Sequence, residues 1–132
     1  MADTAITSIT WDDNDGTDVA AGQGTAIAAA NTHVITPTGP LEDMVIMITN
    51  TEGSTNVVTV KAGPTTAGRA AQSSGLGDLL LTTISATTGR IILPPLESAR
   101  FLQANGTVRI TVEAGMTGFI MALQKKTVQS GA

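Results

Sequence analysis

The densest group of chemistry-bearing side chains is Asp12-Asp13-Asn14-Asp15-Gly16-Thr17-Asp18. A helix–loop–helix calcium site needs oxygen ligands at fixed intervals around one glycine and a bidentate Glu at its end. Setting Gly16 at that glycine puts Trp11 at the first ligand position and Gly22 where the Glu should stand, so the spacing points to a solvated turn whose Asp and Asn side chains bond their own backbone. His33 is the single histidine, which excludes a two-imidazole metal site or a two-histidine relay within one chain. A nucleophilic Ser98 or Ser74 would need His33 as its base, and neither serine stands in a Gly-x-Ser-x-Gly elbow. His33 is therefore expected at the start of a strand. With no cysteine, thiolate ligands, thiol nucleophiles and disulfides are excluded. The segment Gly63–Gly77 has neither of the glycine patterns that cradle phosphates, and Arg69 within it reads as a solvated charge. No catalytic, cofactor or metal residue is assigned, and the expectation is a non-enzyme that acts by binding another protein surface.

Charge and aromatic content narrow the partner. The formal charge is −4 and the isoelectric point about 4.6, whereas phosphate-backbone binding needs clustered Lys and Arg; nucleic acid is not expected. Trp11, Phe101 and Phe119 are the only aromatic residues, which disfavours the stacking platforms of sugar and single-strand binding. No window approaches a membrane-spanning helix, and Met1–Thr10 lacks a signal peptide's basic start and apolar stretch. No membrane partner is expected, and synthesis is expected in the cytoplasm.

The elements that must carry any binding surface read as strands. At 132 residues, 42% apolar and 14% charged, the chain has the size and composition of one folded domain. Short runs rich in Thr, Val, Ile and Ala are closed by Gly, Pro, Asn or Ser, the punctuation of strands. They fall at Ala5–Trp11, Thr25–Ala29, His33–Thr36, Met44–Asn50, Asn56–Ala62, Asp78–Ser85, Arg90–Leu93, Ser98–Gln103, Thr107–Ala114 and Gly118–Lys125. Ala20–Ala30 reads as turn and strand, because Gly22 and Gly24 weaken a helix there. Thr107–Glu113 alternates strictly, with Val108, Ile110 and Val112 facing a core and Arg109 and Thr111 facing water. Asn105-Gly106 suggests a type I′ hairpin from Phe101 into this strand. A second turn at Gly115–Gly118 would complete an antiparallel meander. Met44–Ile48 is apolar on both faces, so a central strand covered from outside is expected, the cover being a loop or another subunit. The reading is all-β: a single antiparallel β-sandwich over 1–132, with an extended amino-terminal arm within 1–18 and a short tail at 126–132.

The run Ala5–Trp11 has broken periodicity, leaving two alternatives. Trp11 is either a core tryptophan, or Ile6, Ile9 and Trp11 are apolar anchors of an arm that meets a partner, Trp being favoured at binding hot spots.

Two stretches carry a family likeness. One is Val34-Ile35-Thr36-Pro37-Thr38-Gly39-Pro40-Leu41-Glu42-Asp43-Met44-Val45-Ile46-Met47-Ile48-Thr49-Asn50-Thr51 with Val57–Gly63; the other is Leu96-Glu97-Ser98-Ala99-Arg100-Phe101-Leu102-Gln103-Ala104-Asn105-Gly106-Thr107-Val108 with Glu113–Leu123. Together they resemble the capsid decoration, or cement, proteins of tailed bacteriophages. The resemblance implies a jelly-roll-like sandwich without enzymatic activity, a major capsid protein as partner, a trimer as the favoured homo-oligomer, and a place on the capsid surface of the virion. The alternative is another virion component, such as a tail or fibre domain that binds a host surface.

Overall fold

The computed structural model describes residues 2–11, 24–63, 78–93, 96 and 98–125. The acidic run 12–18, Arg69, Ser74, nearly all of the Gly63–Gly77 segment and the 126–132 tail lie outside them. The chain runs through β1 (Asp3–Ile6), β2 (Ser8–Trp11), β3 (Thr25–Ala26), β4 (Thr32–Ile35), a 3₁₀ turn (Leu41–Asp43), β5 (Met44–Asn50), β6 (Asn56–Val60), β7 (Leu79–Ile84), β8 (Gly89–Ile92), a one-turn helix α1 (Ser98–Phe101), β9 (Val108–Val112) and β10 (Gly118–Lys125).

These strands form two sheets packed as an all-β sandwich. The first has the order β1-β4-β9-β6-β7; the second is β2-β10-β5-β8, with β3 also paired to β10. Alternation decides what each strand contributes, because successive side chains point to opposite faces. From the first sheet Ile35, Val58, Val60, Val108 and Ile110 point inward with no exposed surface; Ile48 and Ile120 answer them from the second, beside Ile46 and Ala122. Leu41, Leu93, Leu96, Phe101 and Met116, all from turns and connections, complete the same core. Each such side chain stabilises the fold by about 1.5–3 kcal/mol through burial alone.

The pairing is antiparallel except at the amino terminus, where the sheets become mixed. β1 lies parallel to β4, with Ile6 beside Ile35, and β2 lies parallel to β10, with Ile9 beside Leu123. The chain passes from one sheet to the other at Thr7, whose N–H donates to Thr25 Oγ1 at 3.0 Å. Residues 3–11 are thus two in-sheet strands and not a free arm.

Three local expectations need correction. Ser98–Phe101 is helical, since the Glu42 carboxylate accepts from both the Ser98 N–H and hydroxyl at 3.0 Å and so satisfies the first helical turn. Asn105-Gly106 is not a type I′ turn: Gly106 has φ +80°, but Asn105 does not take a positive φ, and its Oδ1 accepts from the Thr107 N–H and hydroxyl instead. Nor do β9 and β10 form a meander. β9 pairs with β4 and β6, β10 with β5, and residues 113–117 carry the chain across the sandwich with Met116 buried beneath them.

Candidate functional site

The sequence candidates for chemistry do not converge. His33 is fully buried, and its Nε2 accepts the Ala28 N–H at 3.0 Å. Desolvation pushes its pKa below the ordinary value, opposed by the Ile110 carbonyl, so the ring is a neutral core acceptor. The Ser98 hydroxyl is bonded to Glu42 and not to the imidazole. Asp78 is held below the usual carboxylate range first by the Ala62 N–H and then by Lys61, whose ammonium lies 2.8 Å away. No group of three His, Asp or Glu side chains able to hold a metal occurs among the described residues. Among them, too, no helix is long and apolar enough to cross a membrane.

The residues expected to be anchors separate. Ile6 points into the core and offers no contact surface. Ile9 and Trp11 point the other way, onto the outer face of the second sheet, in register with Leu123 and Lys125. Trp11 is 38% exposed, so it is not a core tryptophan.

That outer face can be built row by row from the register. Arg90, Thr49, Phe119 and Ala26 form one cross-strand row; Ile92, Met47 and Met121 form the next; Val45, Leu123 and Ile9 the third; Lys125 and Trp11 close it. None of these side chains joins the core cluster, although Met121, in the middle row, is itself buried at 4% exposure. Ile92 is 64% exposed, at the edge strand β8. Four strands about 4.8 Å apart and three rows about 6.8 Å apart give a face of roughly 20 by 20 Å, about 400 Å². Two of its rows are apolar throughout, while the first also carries Arg90 and Thr49; apolar patches that stand out on single-chain proteins are often functional.

The sequence signal for this face was the two-sided apolarity of Met44–Ile48, matched by the unbroken run Phe119–Leu123. Sequence reasoning missed Ile92 and Arg90, which join the face only through the pairing of β8 with β5.

One end of the face is held rigidly. Asn50, buried where β5 ends, donates to the carbonyls of Ser54, Ile84 and Ser85, and its Oδ1 accepts from the Glu52 N–H and from Asn56. This network ties the β5–β6 connection to the turn between β7 and β8. In that turn Thr88 N–H donates to the Ala86 carbonyl at 2.7 Å across Thr87, whose φ is +67°. It is a γ-turn of the rare positive-φ kind, unfavourable for a β-branched residue by about 1–3 kcal/mol. The Thr87 N–H donates to the Glu52 carbonyl at 2.7 Å, bracing the turn from the other side. Gly89 closes it, because a Cβ there would collide with the Ser85 carbonyl oxygen.

Compared with protein-family models, with curated proteins and with solved structures, the chain matches none. The functional reading therefore rests on the geometry of this face and on the residues that frame it.

Proposed function

We propose that this chain is a structural decoration protein that docks in many copies on an assembled phage capsid, contacting the major capsid protein through the outer face of its second sheet. The supporting observation is the face itself: Ile9, Val45, Met47, Ile92 and Leu123 stand together outside the core, around a buried Met121. Sequence likeness to capsid cement proteins suggests the shell as the partner. At about 400 Å² the face is about half the area that each partner contributes to a standard interface. A single copy would bind modestly. Clustering into a homo-oligomer, a trimer in this reading, lets several such contacts act together through high effective concentration. The jelly-roll likeness and the location on the virion surface belong to the same proposal.

The test is co-sedimentation of the full-length protein with cognate shells stripped of decoration, alongside the unassembled capsid subunit. Binding to shells and not to the free subunit is expected. Failure to sediment with shells, or equal binding to the free subunit, would overturn the proposal.

A further inference from the structure

At the braced end of the apolar face lies an open cleft of about 440 Å³, lined by Thr49, Thr51, Thr87, Thr88, Arg90 and Phe119. Arg90 is exposed and has no carboxylate partner among the described residues, unlike Lys61, paired with Asp78, and Arg109, paired with Asp3. Arg90 stands beside Thr49 across the β5–β8 pair, and Thr49 stands beside Phe119 across the β5–β10 pair. The hydroxyls of Thr49, Thr87 and Thr88 make no hydrogen bond among the described residues, while Thr51 and Thr117 share one at 2.9 Å.

We propose that this cleft binds a carboxylate, supplied by an aspartate or glutamate side chain of the surface on which the apolar face docks. The chemistry of the cleft stands on its own residues; only the carrier of the carboxylate rests on the docking reading. A guanidinium presents a planar fork that matches two carboxylate oxygens, and hydroxyl donors beside it complete the oxygen shell. One cation lines the cleft, which suits a single negative charge better than a phosphate dianion. The repulsion expected from the net charge of −4 is largely screened beyond about 8 Å at physiological salt, so the local charge of Arg90 decides. The γ-turn at Thr87 and its anchor on Glu52 fix the two exposed threonines in place before anything binds, which lowers the ordering cost of recognition. The cleft would give the apolar contact a fixed orientation, since a single charged pair at its rim discriminates between alternative registers of two apolar patches.

The experiment has two arms. In the first, the ¹⁵N-labelled full-length protein is titrated with blocked glutamate, with blocked glutamine as the neutral isostere, and with inorganic phosphate. Saturable shifts of the Thr49, Thr87, Thr88 and Arg90 amides with blocked glutamate alone are expected, weakened at least tenfold in Arg90→Gln, whose remaining spectrum reports an intact fold. No saturable shift, an equal response to glutamine, or tighter binding of phosphate would overturn a carboxylate site. In the second arm, Arg90→Glu is compared with wild type for co-sedimentation with shells across a salt series. A loss of tenfold or more, with a flatter salt dependence, is expected. Unchanged shell binding in Arg90→Glu would overturn the shell as carrier of the carboxylate. If wild type itself does not sediment, the docking proposal fails, and the titration alone still upholds or overturns the carboxylate site.

Discussion

The two outer faces of this sandwich are built from the same kind of strand and differ in chemistry. On the first sheet the outward positions include Asp3, Val34, Thr59, Arg109 and Thr111, with Arg109 and Asp3 paired at 2.8 Å, and an exposed apolar side chain, Leu80, on the edge strand β7. On the second they are Ile9, Trp11, Ala26, Val45, Met47, Ile92, Phe119, Met121 and Leu123, with Thr49, Arg90 and Lys125 toward its ends. Inward residues are equally apolar in both. The comparison teaches that core-facing positions look alike in both sheets, while the outward positions set the two faces apart. An antiparallel sheet with one wet face needs no further explanation; a sandwich with one apolar outer face does.

The comparison can be broken in several ways, beginning with the largest effect. Deleting residues 2–11 removes β1 and β2 together with the buried Ile6, so cooperative thermal unfolding should be lost. A deletion that melts like wild type would show that these strands are dispensable. Next, Ile110→Ala, in the centre of the core, should cost about 2–5 kcal/mol in denaturant unfolding, whereas Arg109→Ala, one residue away on the wet face, should stay within about 0.5 kcal/mol because its ion pair is partly exposed. Equal effects would mean that the register of β9 is wrong.

A third expectation concerns pH. Burial lowers the pKa of His33, so the unfolded chain takes up its proton first as pH falls below about 6.5. Stability is then fully present above that value and declines toward the lowered folded pKa, by at most about 1.4 kcal/mol per pH unit. Glu42 and Asp78 are shifted downward, so their stabilisation is lost only in the ordinary carboxylate range and below. Chemical unfolding between pH 7 and 5 should therefore show a decline that His33→Gln removes. A decline that survives the substitution would assign it elsewhere. The smallest effect is expected at Thr87→Gly, which relieves the positive φ and should raise stability by about 0.5–1 kcal/mol while weakening the cleft. A fall in stability would show that the turn is not strained.

Legibility in the sequence followed the range of the interactions involved. β5 and β10 stand where alternation and their closing residues place them, because both signals are local. Phe101 was legible as apolar, but not as helical: the carboxylate that satisfies its turn comes from Glu42, far away in sequence. The Gly115–Gly118 turn carries the same residues whether it folds a hairpin or crosses between sheets, and only the pairing of β9 with β4 and β6 decides. Ile9 and Trp11 were legible as apolar anchors, but which of Ile6 and Ile9 points inward is decided only by pairing, Ile6 with the core residue Ile35 and Ile9 with Leu123. The outer face was half legible. Met44–Ile48 showed that something must cover β5 on both sides, and the sandwich supplies the cover on one side only among the described residues.

We propose that the second sheet's outer face is a docking surface and the first sheet's is not. Met47→Asp and Thr111→Asp place the same charge at equivalent outward positions on the two faces. Each variant should melt within about 1 kcal/mol of wild type, as surface substitutions away from a core do. In co-sedimentation with stripped shells, Met47→Asp should lose at least tenfold in affinity and Thr111→Asp should bind as wild type does. Equal binding by both variants, or a loss confined to Thr111→Asp, would contradict it.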